Sequence, residues 1–144
     1  MVKVMSLNFS ASCHATEDVE KVKRAMLNLI PEDLRKKVSF DEQILKGHYG
    51  NPIIRLSFNL KGEDAEKTLR HIAKNIDEIS KRLLNASLNL RLELPKLYLR
   101  FSKQEAYLGK IVLEDSDDIV KVVVSFSTKK TEALIKYLEK IGLI

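Results

Sequence analysis

The sequence predicts an α+β fold of the two-layer α/β sandwich type, with helices packed on one face of a mainly antiparallel sheet. Most predicted strands alternate apolar and polar residues, so each strand has one buried face. Each predicted helix carries one apolar stripe at helical spacing and therefore buries one side only. Both observations favour two layers, because a doubly wound parallel sheet would need strands that are apolar on both faces.

The composition is typical of a single cytoplasmic domain spanning residues 1–144. Of the 144 residues, 44% are hydrophobic and 31% are charged, and the net charge is +5. This length supports one hydrophobic core, and the mild positive charge favours an anionic partner. We expect no membrane span, because no apolar run approaches about 18 residues. The single cysteine, Cys13, excludes an internal disulfide and suits a reducing compartment.

Alternation, helical periodicity and turn residues together predict the order of the elements. We expect Met5 to face the core, Thr16 to cap the first helix and Gly142 to end the last one. Residues 88–94 alternate like a strand but could also form a loop or continue a helix. The predicted strands span residues 5–14, 38–44, 51–60, 97–102, 110–113 and 119–126, and the predicted helices span residues 17–30, 63–85, 103–108 and 129–141.

The helices cover one sheet face, so the other face is composed of the residues that point outward. The outward residues include Arg and Lys but no carboxylate, although the chain has 20 Asp and Glu residues. Such a face suits contacts to the phosphates and sugars of a nucleic acid. An inert solvated face and an interface between two copies are the alternatives. The outward residues are Ser6, Asn8, Ser10, Ser12, His14, Arg55, Ser57, Asn59, Tyr98, Arg100, Lys121 and Ser125.

Tyr98 is the single ring in that set. Sheet-type RNA-binding modules usually stack bases on several aromatic side chains. A sheet with one tyrosine therefore favours recognition of the backbone and shape of an RNA over recognition of its bases.

The loop Gly47–Pro52 combines two glycines with His48, Tyr49 and Asn51. The glycines would allow backbone N–H groups to approach a phosphate, and the ring side chains could stack or hydrogen-bond. The alternative is a plain hairpin turn in which Gly and Asn permit a positive φ. No Gly-Lys-Ser/Thr follows, so the loop is not a P-loop.

A second polar group of residues, Arg100, Lys103, Gln104 and Lys110, lies at a predicted strand end and in the turn after it. Arg can contact a phosphate with two hydrogen bonds, which makes this a candidate phosphate site; a solvated charged rim is the alternative.

The basic residues of the first helix, Lys21, Lys23 and Arg24, are interspersed with acidic neighbours. A solvated helix surface is therefore the better interpretation for them.

No catalytic or metal-binding pattern competes with these polar segments. Cys13 and His14 are adjacent on a strand, point to opposite faces and cannot readily share a metal. The acidic loop over residues 115–118 could hold Mg²⁺ loosely, but such a loop before a strand is usually a turn. No matched acid–base pair or nucleophile motif is visible, so we expect no enzymatic activity, no metal and no cofactor.

Four segments, His14–Asp18, Ala25–Pro31, Gly47–Ile53 and Leu97–Gly109, resemble an archaeal family of RNA-binding proteins described as predicted exosome subunits. The resemblance spans nearly the whole chain. It implies a fold similar to that of the ribosomal protein that binds 5S RNA. Ser102 departs from the family pattern, in which an Asp often precedes the Lys-Gln pair, but Ser can also cap a short helical turn.

These observations predict a non-catalytic RNA-binding protein of archaeal RNA processing or degradation, with RNA and exosome proteins as partners and no membrane association. The alternative is a protein–protein adaptor or homodimer that uses the open sheet face. The residues predicted to contact RNA are His48, Tyr49, Asn51, Arg55, Tyr98, Arg100, Lys103, Gln104 and Lys121.

Overall fold

The computed structural model describes residues 1–46 and 50–144. Periodic apolar residues produce strands and helices along nearly the whole chain. In order, these are β1 (Val4–Cys13), α1 (Val19–Leu27), a 3₁₀ helix (Glu32–Lys37), β2 (Asp41–Lys46), β3 (Pro52–Lys61), α2 (Gly62–Asn75), α3 (Glu78–Ala86), α4 (Leu88–Arg91), β4 (Leu92–Glu93), β5 (Lys96–Ser102), α5 (Lys103–Tyr107), β6 (Ile119–Phe126) and α6 (Thr131–Ile141).

The strands form one six-stranded sheet in the order β2-β3-β1-β6-β5-β4, and all its ladders are antiparallel. The core lies between the sheet and the helices, where alternate residues of the four central strands are buried under the apolar stripes of α1, α2 and α6. The predicted α+β sandwich is therefore confirmed. The predicted hairpin between the second and third strands is also confirmed, because β2 pairs with β3.

The alternation of inward and outward side chains is interrupted at the first residues of β1. A register irregularity between Val4 and Ser6 turns Val4 into the core and leaves Met5 half exposed. The prediction that Met5 faces the core is therefore wrong. The bulge places one extra residue on β1, and so shifts which side chain points inward.

Asp18, not Thr16, is the N-cap of α1, and its side chain accepts a hydrogen bond from the Glu20 backbone N–H at 2.9 Å. The predicted cap was wrong because Thr16 and Glu17 belong to a turn that follows β1, in which the Glu17 N–H donates to the His14 carbonyl. The helix consequently begins at Val19, and Glu17 is available for a different contact, described below.

The predicted long helix over residues 63–85 is instead two helices, α2 and α3. Ile76 is extended and forms an isolated bridge with Ile111, and the Asp77 side chain then caps α3 by accepting from the Ser80 N–H at 2.8 Å. This break changes the phase of the second helix, so Ile79 and Leu83 are exposed while Ser80 and Leu84 are buried.

Two other predicted strands also differ, and one segment that the sequence left open is assigned by the structure. The second strand spans residues 41–46, because Val38 and Phe40 pack against the core before the strand begins. Residues 110–113 form isolated bridges at Ile111 and Leu113 rather than a strand. Residues 88–94 divide into the short helix α4 and the two-residue strand β4.

Candidate functional site

The open face of the sheet lies opposite the helices and is lined by alternate residues of β3, β1, β6 and β5. The strand register aligns Ser57, Ser10, Lys121 and Arg100 across the sheet. The neighbouring row aligns Asn59, Asn8, Val123 and Tyr98. Side chains predicted from alternation to share a face are therefore also neighbours in space, over a width of four strands.

Charge is distributed unevenly over this face. On β3, β1, β6 and β5, all within the described part of the chain, it carries five cations and no carboxylate. Asp41, opposite Ser57, and Glu93, opposite Lys96, place carboxylates only at the two edge strands. The centre of the face therefore favours an anion. Its five cations are Arg55, Lys61, Lys96, Arg100 and Lys121.

Two of these cations, Lys61 and Lys96, were not among the predicted contact residues. Each is the terminal residue of its strand, and the predicted strands stopped one residue short of both. Continuing the alternation by one residue at each end would have placed both lysines on the open face.

The predicted contacts on the open face differ in how their side chains are held. Arg55 is exposed, whereas Tyr98 and Lys121 are half buried, with the Lys121 Nζ 5.5 Å from the centre of the Tyr98 ring. The Arg100 Nη2 donates to the Ser116 carbonyl at 2.7 Å. The guanidinium of Arg100 therefore also holds the 114–118 loop against the end of β5.

The polar segments singled out in the sequence meet at one end of the sheet. His14 follows β1, Asn51 precedes β3 and Gln104 lies just after β5, while the register places Cys13 opposite Ile54 and Ser102 opposite Ile119. His14, Asn51 and Gln104 are exposed there. The two other predicted contacts of this region, His48 and Tyr49, lie outside the described residues.

Lys103 occupies a different position from the one expected of a phosphate ligand. The residue is only 5% exposed, and Nζ lies 3.2 Å from both Glu17 carboxylate oxygens, 3.0 Å from Asp118 Oδ1 and 2.7 Å from the Ser12 carbonyl. An ammonium has three donors, and these contacts saturate it. The burial of Lys103 and its saturated ammonium therefore argue against the prediction that it contacts RNA, which substitution of Lys103 with Met would test.

The partners of Lys103 show why its burial was not predicted from the sequence. Glu17 and Asp118 come from segments 86 and 15 residues away in the chain, so their proximity could not be deduced from local sequence. One local pattern did indicate the burial of Lys103, since it continues the inward series of Leu97, Leu99 and Phe101. Gln104 completes the cluster by donating from Nε2 to Asp118 Oδ2 at 3.2 Å.

The acidic loop before β6 has cationic partners within the chain. Arg91 makes two parallel hydrogen bonds to Asp115, at 3.2 and 3.1 Å, and Lys103 pairs with Asp118. Among residues 1–46 and 50–144, no group of three or more His, Cys, Asp or Glu side chains is arranged to hold a metal ion. None of the described helices is long and apolar enough to cross a membrane.

Burial changes the proton affinity of the Cys13 thiol at the end of β1. Burial raises the pKa of the Cys13 thiol, and the neighbouring Glu17 carboxylate raises it further. The thiol is therefore protonated at neutral pH and acts as a small core residue rather than as a nucleophile.

His71 on α2 should make stability depend on pH. Desolvation, followed by the nearby charge of Arg35, lowers its pKa below the ordinary value of 6.5. The folded state therefore binds the His71 proton less well than the unfolded state does. As a result, the contribution of His71 to the free energy of unfolding is complete above pH 6.5 and is lost as the pH falls towards the lowered pKa. We expect His71→Gln to reduce the difference in unfolding free energy between pH 7.5 and pH 5, measured by urea denaturation. An unchanged difference would contradict this assignment.

Comparison with known proteins agrees with this architecture. A family model described as RNA binding matches residues 6–126. The chain is 40% identical over 124 residues to the uncharacterized protein MJ0213 of Methanocaldococcus jannaschii, covering 84% of this chain and 83% of that one. It is 33% identical over 129 residues to RNA-binding protein PAB1135 of Pyrococcus abyssi, covering 85% and 83%.

The fold has a counterpart among solved structures as well. The crystal structure of protein AF2318 from Archaeoglobus fulgidus, a DUF54 protein, superposes with a TM-score of 0.80 at 29% identity and covers 96% of this chain and 99% of that one. With a family model that spans most of the chain and two archaeal relatives above 30% identity, this protein belongs to the RNA-binding family that includes the DUF54 proteins.

Proposed function

We propose that the protein binds RNA through the open face of its sheet, mainly through contacts to phosphates and sugars. The observation that carries the proposal is the set of five cations on β3, β6 and β5, with no carboxylate on the open side of these strands or of β1 between them. Hydroxyls and amides, such as those of Ser57, Asn8 and Asn59, lie between the cations and supply neutral hydrogen-bonding groups, whereas Ser10 on the same face is buried. This mixture is typical of surfaces that position a nucleic-acid backbone.

The aromatic content of the face supports recognition of shape. Tyr98 is the one ring on the open side of β3, β1, β6 and β5, which the structure describes in full, and it is already in contact with Lys121. A stacked series of bases would need more rings in line. We therefore expect the face to bind a structured RNA through its backbone and to discriminate weakly between sequences.

The test is an RNA titration with Arg55→Ala/Lys121→Ala. Both side chains lie on the open face, so we expect the variant to fold and to bind a fluorescent hairpin RNA about tenfold more weakly, given up to about 1 kcal/mol for each exposed charge contact. The slope of log affinity against log salt should also fall by about one unit for each lost phosphate contact. Anisotropy at several salt concentrations measures both quantities.

A matched control removes the same charge elsewhere. Lys136→Ala/Lys140→Ala changes two exposed lysines of α6, on the helical layer. If the face variant and this control bind RNA equally well, the open face is not the RNA site. Should the face variant also lose a concentration-dependent increase in mass, the face serves as an interface between two copies of the chain.

We further propose a non-catalytic role in cytoplasmic RNA processing or degradation, in association with the exosome. The family resemblance supports this role, and so does the commitment of Glu17 and Asp118 to Lys103, which removes two carboxylates from acid–base chemistry. If the role is non-catalytic, the RNA should be recovered intact after long incubation with the protein.

If the protein associates with the exosome, the tagged protein should retain exosome proteins from archaeal extract. Ribonuclease treatment distinguishes a direct protein contact from a contact that is bridged by RNA.

A further inference from the structure

A second basic surface lies on the helical layer, away from the open sheet face. It is a groove of about 870 Å³ between α1, the 3₁₀ helix and the turn that follows α5. Four cations line it, against a single carboxylate, that of Glu20. The cations are Lys21, Lys23, Arg24 and Arg35. We call this cavity the α1 groove.

The four cations differ in how far they are neutralised within the chain. Lys23 lies 3.9 Å from a Glu20 oxygen and 3.6 Å from a Glu42 oxygen, so it is balanced by carboxylates. Lys21 and Arg24 are exposed and make no ion pair with any residue in the described ranges 1–46 and 50–144. Arg35 is half buried and likewise makes no ion pair within those ranges, while its Nε donates to the Ile30 carbonyl at 3.3 Å. These three side chains give the α1 groove its excess positive charge. Because two of them lie on α1, a solvated helix surface is an incomplete description of that helix.

Exposed apolar side chains stand beside these cations. Tyr107 and Leu108 line one wall and are 39% and 66% exposed, although both could pack into a core. Phe40 lines the groove as well, is half buried and packs edge-on against Phe58 with 5.3 Å between ring centres. The α1 groove therefore combines cations with aromatic surface, which is the combination used to bind single-stranded nucleic acids.

The wall that carries Tyr107 is held in place from α1. The Asn28 side-chain amide donates to the Ala106 carbonyl at 2.9 Å and to the Tyr107 carbonyl at 3.2 Å. Both bonds are to the backbone of α5, so they fix the position from which the Tyr107 side chain projects into the α1 groove. A backbone that is already ordered reduces the entropy lost when a base stacks on the ring.

A neighbouring cavity extends this surface towards the end of the sheet. It has a volume of about 530 Å³, is lined by Thr16 and Gln104, and shares Lys21, Tyr107 and Leu108 with the α1 groove. Its carboxylates, including Asp18, disfavour phosphates there. The shared residues nevertheless connect the α1 groove with the end of the sheet at which His14 lies.

We propose that the α1 groove binds a single-stranded segment of RNA, with Lys21 and Arg24 on its phosphates and Tyr107 stacked on a base. The inference rests on the proposed function, because it takes an RNA to be the ligand, but it uses a separate surface. An acidic protein segment would also be attracted by the charge. The exposed ring favours RNA, since every base offers a face for stacking.

The experiment compares three fluorescent RNAs: a blunt hairpin, the same hairpin with a six-nucleotide single-stranded extension, and the hairpin with an abasic extension. We expect the wild-type protein to bind the extended hairpin about tenfold more tightly than the blunt one, within the range of base–aromatic stacking. Lys21→Ala/Arg24→Ala should remove this advantage and lower the salt slope for the extended RNA by about 1.4, from two single-strand phosphate contacts.

The role of the ring is tested separately. Tyr107→Leu should lower the affinity for the extended hairpin about tenfold and leave the affinities for the blunt and abasic hairpins unchanged. The control is Tyr107→Phe, which keeps the ring and should bind all three RNAs as the wild-type protein does. If Lys21→Ala/Arg24→Ala and Tyr107→Leu bind all three RNAs as the Lys136→Ala/Lys140→Ala control does, the α1 groove is not an RNA site. An equal loss on blunt and extended hairpins would overturn the assignment to single strands.

The experiment can reject the proposal for the sheet face and the proposal for the α1 groove independently of each other. Loss of blunt-hairpin binding in Arg55→Ala/Lys121→Ala, with no effect of the groove variants, retains the sheet face and rejects the α1 groove. The opposite result retains the α1 groove and rejects the sheet face. If the wild-type protein shows no advantage for the extended hairpin, yet binds a fluorescent acidic peptide only when Lys21 and Arg24 are present, the α1 groove is a site for a protein partner and not for RNA.

Discussion

Replacing Lys103 with Met should lower the free energy of unfolding by about 2–3 kcal/mol and leave RNA affinity nearly unchanged. The substitution keeps the aliphatic part of the side chain and removes the ammonium. Glu17 and Asp118 would then face each other without a cation, and the Ser12 carbonyl would lose its donor. Losing one partner of a fully buried ion pair costs about 3–5 kcal/mol, and the partial exposure of both carboxylates reduces that figure here.

Lys103→Met should affect stability more than RNA binding, because the Lys103 amine joins three segments of the chain. Its amine contacts the end of β1, the turn before α1 and the loop before β6. Urea denaturation followed by circular dichroism measures the stability, and an RNA titration of the folded variant measures the affinity. Lys136→Met, at an exposed lysine of α6 outside both proposed RNA surfaces, is the control. A large loss of affinity at unchanged stability would restore Lys103 to the RNA site.

Truncation of Phe58 to Ala should destabilise the protein by about 3–5 kcal/mol, the usual cost of removing a buried aromatic ring. Phe58 is 4% exposed and stacks on Phe9 with 4.6 Å between ring centres, while Phe40 packs edge-on against it with 5.3 Å between ring centres. The substitution would therefore leave a cavity and disrupt two aromatic pairs, each of which contributes about 0.5–1.5 kcal/mol beyond burial.

The same substitution also connects the core with the α1 groove. Phe40 lines that groove below Lys23, whose Nζ lies 5.4 Å from the ring centre, and Phe58 supports Phe40 from the core. Phe58→Leu retains most of the volume and should cost roughly 1–2 kcal/mol. Urea denaturation of both variants measures the difference. If the Ala variant were within about 1 kcal/mol of wild type, the rings would not form a packed unit.

Local periodicity was sufficient to predict most strands and the two-layer fold. Alternation assigned the buried sides of β3, β5 and β6, since a pleated strand points successive side chains to opposite faces. Gly142 was identified as the end of α6 for an equally local reason, and its φ of 85° is a conformation that glycine adopts without strain. In such cases the relevant physics lies within a few neighbouring residues.

Periodicity was misleading where a distant contact changed the backbone. The apolar stripe through Ile76 and Ile79 reads as one continuous helix, yet the Ile76–Ile111 bridge and the Asp77 cap divide it. The bulge at Met5 is a similar case, since it depends on how β1 pairs with β6. A sequence pattern records the preference of a segment but not the partner that overrides it.

Some properties of the candidate site likewise follow from local sequence, and others depend on tertiary contacts. The amino-acid sequence was enough to identify the polar, carboxylate-poor composition of the open face, because alternation alone assigns residues to a face. The neutralisation of Lys103 by Glu17 and Asp118 depends instead on tertiary packing, and so does the meeting of Tyr107 with Lys21 and Arg24 across about 80 residues of chain. Charge and exposure act through space, so the role of a lysine follows from the side chains that folding places around it.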